Sequence, residues 1–257
     1  MSQLFSFSRF QRLFGKHTAE QMSSYLLATG VLVLLGVVLG LMAYFSPWPV
    51  MPDTQSVVFV MGLLGAGSFF TSTVFVPYGE KKQATAALML PASHWEKFLV
   101  GWLYSVPIFL VVYVVCFYVI DVLVVNLDDW HGQTPQVVSL FSGEHKLYIW
   151  LIVYVVVNAL FLWGSIFFAK QHFVRTAFGL LLGAVVLVVA NFQAVQALVG
   201  RSMNTVMPFA SMTFQEDKEW YTLSLPPAQS GWLLLVPLGV MLLGWAAAYT
   251  RLTEKQI

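Results

Sequence analysis

Six long apolar runs that carry no charged side chain decide what this chain can fold into. A helix needs about 20 apolar residues to cross the hydrocarbon core of a bilayer. Six windows have about that length, and none of them contains Asp, Glu, Lys, Arg or His. The sequence therefore predicts an all-α, polytopic membrane protein with six transmembrane helices. The predicted spans are Ser24–Tyr44, Val57–Val76, Phe98–Ile120, Tyr148–Phe168, Ala177–Val195 and Gly231–Tyr249. The third contains Pro107, so we expect a kink or a tilt there.

Composition supports an integral membrane protein and excludes some partners. Hydrophobic residues make up 58% of the 257 residues and charged residues only 10%, against about a quarter in soluble domains. The net charge of +1 leaves no broad basic field for phosphates, so nucleic acid is not an expected partner. The single cysteine, Cys116, cannot form a disulfide within the chain. The expected surroundings are the lipid bilayer.

The distribution of lysine and arginine predicts the orientation of the spans. Cytoplasmic segments of membrane proteins carry an excess of these residues. Of the thirteen, ten lie in the N-terminal segment, the second and fourth connections and the C-terminal tail. The remaining three, Lys146, Arg201 and Lys218, lie in the third and fifth connections. This split places both termini in the cytoplasm, as six spans require.

The segment before the first span has the pattern of an amphipathic helix. Phe7, Phe10 and Phe14 recur at helical spacing, and Arg9, Arg12 and Lys16 repeat that spacing two residues later. A shift of two residues turns a helix by about 200°, which puts the two sets on opposite faces. We expect a helix lying in the cytoplasmic interface. The alternative is a basic tail that only sets the topology.

These features predict one transmembrane domain that covers the whole chain. Its parts are an interfacial helix (1–23), spans one and two (24–76), a charged cytoplasmic connection (77–97), spans three to five (98–195), an extracytoplasmic connection (196–230), and span six with the tail (231–257).

The sequence does not offer the residues of an intramembrane enzyme. All five histidines fall outside the predicted spans, so Ser68 has no base to work with. No Walker-type phosphate-binding loop occurs, and we expect no ATP hydrolysis by this chain. The third connection holds Asp128-Asp129-Trp130-His131 and Glu144-His145, which could bind a divalent ion. Two solvated polar turns are the preferred interpretation, and Asp121 is expected at the membrane interface.

A few polar and small residues lie inside the spans, and we interpret them as packing devices. Small residues let membrane helices approach closely, and polar side chains bond across helices. The polar ones are Thr71, Ser72, Thr73, Ser105, Asn158 and Asn191, and the small pairs are Gly36/Gly40 and Gly179/Gly183.

The connection at 77–97 concentrates charge and helix-start signals between two apolar runs. Ser93-His94-Trp95-Glu96 fits the S-x-x-E capping box directly before an apolar run. Pro91 stands just upstream as a helix breaker. The residues predict a helix start at Ser93 and, before it, a short helix within 81–90. An ordinary cytosolic loop is the simpler alternative.

This connection resembles that of the permease subunits of type-2 ABC transporters. The order of the residues is similar, and so is the Leu-Pro-Ala-Ser…Glu-Lys-Phe pattern of bacterial members. The chain departs from the family pattern at Ala84, where glycine is usual, and at Trp102, where lysine is common. The matching residues are Glu80, Lys81, Lys82, Thr85, Leu88, Leu90, Pro91, Ser93, Glu96 and Gly101.

The resemblance implies a permease without catalytic residues of its own, in an exporter of the bacterial cytoplasmic (inner) membrane. Its expected partners are a separate ABC ATPase subunit, which carries ATP and magnesium, and a second permease subunit. In the family the fifth connection forms short half-embedded helices, and 200–230 is expected to do so here. The residues implied for ATPase docking and coupling are Glu80, Lys81, Lys82, Thr85, Leu88, Met89, Leu90, Pro91, Ser93 and Glu96. The alternatives are a membrane-embedded assembly or regulatory subunit without transport activity, and an enzyme that uses the external Asp and His residues.

Overall fold

The structure is a computed structural model, and it consists mainly of long helices. It describes residues 5–20, 22–46, 48–76, 92–132, 134–143, 145–168, 170–199, 205–206, 212–216, 219–223 and 234–254. The helices are α1 (Phe7–Glu20), α2 (Met22–Phe45), α3 (Pro52–Val74), α4 (His94–Leu103), α5 (Phe109–Leu127), α6 (Leu147–Phe167), α7 (His172–Val199) and α8 (Leu235–Glu254). A π-helical turn, Tyr104–Ile108, joins α4 to α5.

Within the described part of the chain, five helical segments are long and apolar enough to cross a membrane. They are Pro52–Val74, the continuous segment His94–Leu127, Leu147–Phe167, His172–Leu198 and Leu235–Glu254. The first predicted span, Ser24–Tyr44, falls in α2. The apolar stretch found there among the described residues, Leu32–Phe45, is shorter than the five segments above. A multi-pass membrane protein is thus supported.

Helix α6 lies at the centre of the bundle. It packs against α3, α7 and α8, while α2 packs against α3 and α5. Large side chains at the α3, α5 and α6 contacts are fully buried, among them Phe59, Tyr113, Tyr154 and Leu162. The side chains of α7 are mostly exposed: in its apolar window only 6% of the residues are buried.

The predicted irregularity at Pro107 is a π-helical turn. Proline has no backbone N–H and cannot continue the regular hydrogen-bond ladder. The N–H of Phe109 donates to the carbonyls of Tyr104 and Val106. In a regular α-helix it would donate to the carbonyl of Ser105. The Ser105 carbonyl is therefore available to side chains of neighbouring helices.

A buried glutamine fixes the connection between α5 and α6 onto the start of α3. Nε2 of Gln55 donates to the carbonyls of Val50 and Gln136, at 2.8 and 2.9 Å. Its Oε1 accepts from the N–H of Val138 at 2.7 Å. Because an unpaired buried amide is costly, this set of bonds determines where the connection lies.

The all-α character holds for the bundle, but the described stretches of the fifth connection are strands and not the short helices expected there. Strands β1 (Thr205–Val206), β2 (Met212–Glu216) and β3 (Glu219–Leu223) form an antiparallel sheet in that order. Met212 pairs with Leu223, and Glu216 pairs with Glu219. The sequences MTFQE and EWYTL are rich in aromatic residues and threonine, which favour strands.

The two predicted small-residue pairs behave differently. A Cβ at Gly36 would lie 2.6 Å from the Ile120 side chain, so α2 and α5 approach closely at this glycine. A Cβ at Gly40, Gly179 or Gly183 would touch no other described atom of the chain. The close contact of α3 with α5 and α6 depends instead on Gly67, where a Cβ would overlap the ring of Tyr154 and lie 2.9 Å from that of Phe109.

Substitution of Gly67 by alanine is expected to destabilise the bundle by about 1–3 kcal/mol, because the added methyl group overpacks a filled contact. Gly65→Ala is the matched control, since nothing lies within 4 Å of a Cβ there. Thermal unfolding of both variants in the same detergent compares them. Equal unfolding temperatures would show that α3 does not pack on α6 as described.

Candidate functional site

Most residues implied for ATPase docking lie outside the described part of the chain. These are Glu80, Lys81, Lys82, Thr85, Leu88, Met89, Leu90 and Pro91. The structure does describe Ser93 and Glu96, which begin the helix that follows. The candidate site is therefore built from the residues around Glu96, which we call the Glu96 clamp: Ser6, Arg9, Ser93 and Glu96.

The predicted capping box is confirmed. Ser93 is the N-cap of α4 with an extended backbone, and its hydroxyl accepts from the N–H of Glu96 at 3.2 Å. Oε2 of Glu96 accepts from the N–H of Ser93 at 2.8 Å. Each side chain satisfies a backbone donor of the first helical turn, which would otherwise lack a partner.

The same carboxylate also holds the beginning of α1. Oε1 of Glu96 accepts from the N–H of Ser6 at 2.7 Å and from Nη2 of Arg9 at 3.2 Å. Ser6 directly precedes α1, so the carboxylate lies at the positive end of that helix, where negative charge is stabilised. The Glu96 side chain has no solvent exposure, and a buried charge needs such partners. Glu96 thus joins two helices.

Helix α1 lies against α4 through an apolar face. Leu13 is buried with Val100 and Tyr104, and Phe10 and Phe14 pack around them. The rings of Phe14 and Tyr104 stack with centroids 4.7 Å apart. The hydroxyls of Thr18 and Tyr104 lie 2.5 Å apart.

The predicted aromatic and basic faces of α1 are only partly observed. Phe7 is 71% exposed. Arg9, assigned to the solvent-facing basic set, turns toward Glu96, whereas Arg12 and Lys16 are exposed. Part of the aromatic face of α1 therefore packs against protein.

His17 extends this contact and is neutral at pH 7. Its ring lies 4.8 Å from that of Tyr104, centroid to centroid. Burial lowers the pKa of His17 to about 4, although the nearby Glu20 carboxylate acts in the opposite direction. A charged imidazole would be poorly solvated there. The α1–α4 contact therefore contains no ionised histidine.

A second polar cluster lies at the centre of the bundle. Nδ2 of Asn158 donates to the hydroxyl of Thr71 at 2.7 Å and to the Ser105 carbonyl at 3.1 Å. The hydroxyl of Tyr154 donates to that carbonyl at 2.6 Å. Thr71, Ser105, Tyr154 and Asn158 are all fully buried. This cluster connects α3, the π-helical turn and α6.

The sequence singled out Thr71, Ser105 and Asn158 as packing devices, and the structure brings these three together. Tyr154 was missed. Its position four residues before Asn158, which puts both on one helix face, was a signal that could have revealed it.

The external Asp and His residues form turns, as the preferred interpretation expected. The Asp128 carboxylate accepts from the N–H groups of Val50 and Asp129, at 2.8 and 2.9 Å. Asp129 accepts from the N–H of His131 at 3.0 Å. His145 lies 3.6 Å from Asp53. Among the described residues no group of three His, Cys, Asp or Glu side chains could hold a metal ion, and Glu144 lies outside them.

Asp121 was expected at the membrane interface because it follows an apolar run, and its burial by protein was not predicted. The structure places it inside α5, with no exposed surface.

Comparisons with protein-family models, with curated proteins and with solved structures found no match to this chain.

Replacement of Glu96 by alanine is expected to release α1 and to destabilise the protein by about 3 kcal/mol, because a half-buried arginine and two backbone donors lose their acceptor. Ser93→Ala removes only one cap bond and should cost about 1 kcal/mol. Thermal unfolding and tryptic cleavage after Arg12 measure the two effects. Faster cleavage is expected for Glu96→Ala.

Glu20→Ala is the matched control for these variants. Glu20 pairs with Lys16 at 3.4 Å and is 61% exposed, so its loss should cost less than about 1 kcal/mol. If Glu96→Ala and Glu20→Ala behave alike, Glu96 does not hold α1.

Proposed function

We propose that this chain is the permease subunit of an ATP-driven ABC exporter of the type-2 kind. In this proposal it has six spans with both termini in the cytoplasm of a bacterial cell, and it lies in the inner membrane. A separate ATPase subunit binds ATP and magnesium and docks on residues 80–97. The observation that carries the proposal is the Glu96 clamp, which ties the end of that connection to two helices.

The clamp gives the connection a way to transmit movement. Residues 80–91 lead directly to Ser93, the first residue of the capping box. Because Glu96 bonds to both Ser93 and Ser6, a push on the connection moves α4 and α1 together. A short, capped helix start transmits such a push better than a free loop, since its backbone donors are already fixed.

The movement can continue to the centre of the bundle. Helix α4 leads into the π-helical turn, whose Ser105 carbonyl accepts from Tyr154 and Asn158 of α6. Such turns interrupt a helix and are frequent at functional sites. A path of bonded groups thus runs from the docking connection to the helix at the centre of the bundle.

A second permease subunit completes the proposed translocation path. Helix α7 exposes most of its apolar residues, and the space beside Gly179 and Gly183 is open. Small residues at such positions allow a second helix to approach closely. We therefore assign a role in pairing to α7.

The docking connection is tested with Leu88→Asp, which would place a charge in an apolar contact with the ATPase. Phe141→Asp is the control, since Phe141 is 77% exposed in the connection predicted on the other side of the membrane. Leu88→Asp should lose co-purification of the ATPase and transport, and Phe141→Asp should keep both at equal membrane abundance. Full partner binding by Leu88→Asp would refute the docking role and leave a non-transporting membrane subunit as the better interpretation.

Orientation is tested by cysteine labelling in a Cys116→Ser background. Cysteines at positions 53, 135 and 215 should react with an impermeant reagent from outside. Those at 83, 172 and 254 should react only after permeabilisation, because basic segments stay in the cytoplasm. External labelling at position 83 would contradict both the orientation and the docking of a cytoplasmic ATPase.

A further inference from the structure

Asp121 is a carboxylic acid group enclosed by the bundle. It has no exposed surface, and neither of its carboxylate oxygens has a hydrogen-bond partner among the residues that the structure describes. This contrasts with Glu96, which is buried to the same extent and accepts hydrogen bonds from Ser6, Arg9 and Ser93. An ionised carboxylate without partners in an apolar interior is very unfavourable. The difference between the two acids therefore needs an explanation.

The position of Asp121 follows from the α3–α5 contact. One turn before it, the ring of Phe117 packs on that of Phe59 at 4.9 Å, centroid to centroid. One further turn back, the Tyr113 hydroxyl donates to the Phe59 carbonyl at 2.7 Å. Since α3 and α5 run in opposite directions, Asp121 lies at the level of Gln55, one turn before Phe59. The amide of Gln55 bonds to Val50, Gln136 and Val138.

Asp121 is also enclosed on the side toward the C-terminal end of α5. Val125, one turn after Asp121, is fully buried, and its carbonyl accepts from Nε1 of Trp130 at 2.8 Å. The Trp130 side chain is only 6% exposed. On the α2 side, Leu39 is 1% exposed. Water has no open route to the Asp121 carboxylate in this conformation.

No cationic group of the described chain faces Asp121. On α5 the nearest titratable side chain is Tyr118, one turn back, which carries no positive charge. Helix α2 contains no charged residue. The only acid of α3, Asp53, is exposed and lies beside His145, and Asp128 accepts from Val50 and Asp129. Nothing here would stabilise a negative charge on Asp121.

We propose that Asp121 is a proton-binding site whose carboxylic acid is neutral while α2, α3 and α5 are packed together. Separation of these helices would admit water, and the acid would then lose its proton to the solvent. The closed arrangement therefore binds one proton more than the open one. This inference does not depend on the proposed ATPase partner.

Infrared spectroscopy tests the protonation state directly. At pH 5 the wild-type protein should show the C=O stretch of a protonated carboxylic acid, and the band should shift when aspartate is labelled with carbon-13. Asp121→Asn should lack the band, and Asp129→Asn, which alters an 84% exposed side chain, should keep it. A wild-type spectrum without the band, or a band unchanged in Asp121→Asn, would overturn the proposal.

Thermal unfolding against pH gives an independent test. A folded state that binds a proton more tightly than the unfolded state loses stability as pH rises. Buried His17 acts in the opposite direction in every variant, so the readout is a difference: the unfolding temperature of the wild type minus that of Asp121→Asn should fall as the pH rises above about 4, while the wild type minus Asp129→Asn should change less. Asparagine has the shape of the neutral acid, so Asp121→Asn should fold. Failure of that variant to fold, or the same pH slope as the wild type, would contradict the proposal.

Discussion

The arrangement of α1 and α4 depends on the carboxylate of Glu96. A buried carboxylate without partners has a large desolvation cost. The Glu96 carboxylate has three partners: the N–H of Ser93, the N–H of Ser6 and the guanidinium of Arg9. The first starts α4 and the other two fix α1. Because one side chain performs both tasks, the two helices cannot be displaced separately without leaving a buried charge unsatisfied. This constraint makes the end of the docking connection a rigid part of the bundle.

Pro107 has the corresponding role at the centre of the bundle. By interrupting the regular ladder it leaves the carbonyl of Ser105 outside the helical bonding pattern, and Tyr154 and Asn158 donate to that carbonyl. A regular helix would have used the carbonyl internally, and the two side chains of α6 would have lacked an acceptor there. The irregular turn and the polar cluster therefore require each other. In a lipid environment, where such groups find few other partners, this match holds three helices in register.

Local features of the sequence predicted the fold well, and features that depend on distant contacts were missed. The apolar runs gave the helices, and the spacing of Ser93 and Glu96 gave the capping box, because both patterns lie within one segment. The partners of Glu96 lie 87 and 90 residues away, and no pattern in the sequence links them. The burial of Asp121 was not predicted, because hydropathy reports the end of a run and not what packs around it. The strands of the fifth connection had a signal in MTFQE and EWYTL, but the family resemblance favoured helices.

The two buried acids indicate how the proposed permease can change conformation. Glu96 is fully bonded, so α1 and the start of α4 resist separation and act as one body. The Asp121 carboxylate has no hydrogen-bond partner among the described residues, and the side chains packed around it on α2, α3 and α5 are mostly apolar. Replacing a neighbouring helix by lipid costs little free energy where the contact is apolar. Breaking a buried ionic network costs much more. In the proposed permease, a movement that starts at the docking connection should therefore carry α1 and α4 together and separate the helices around Asp121.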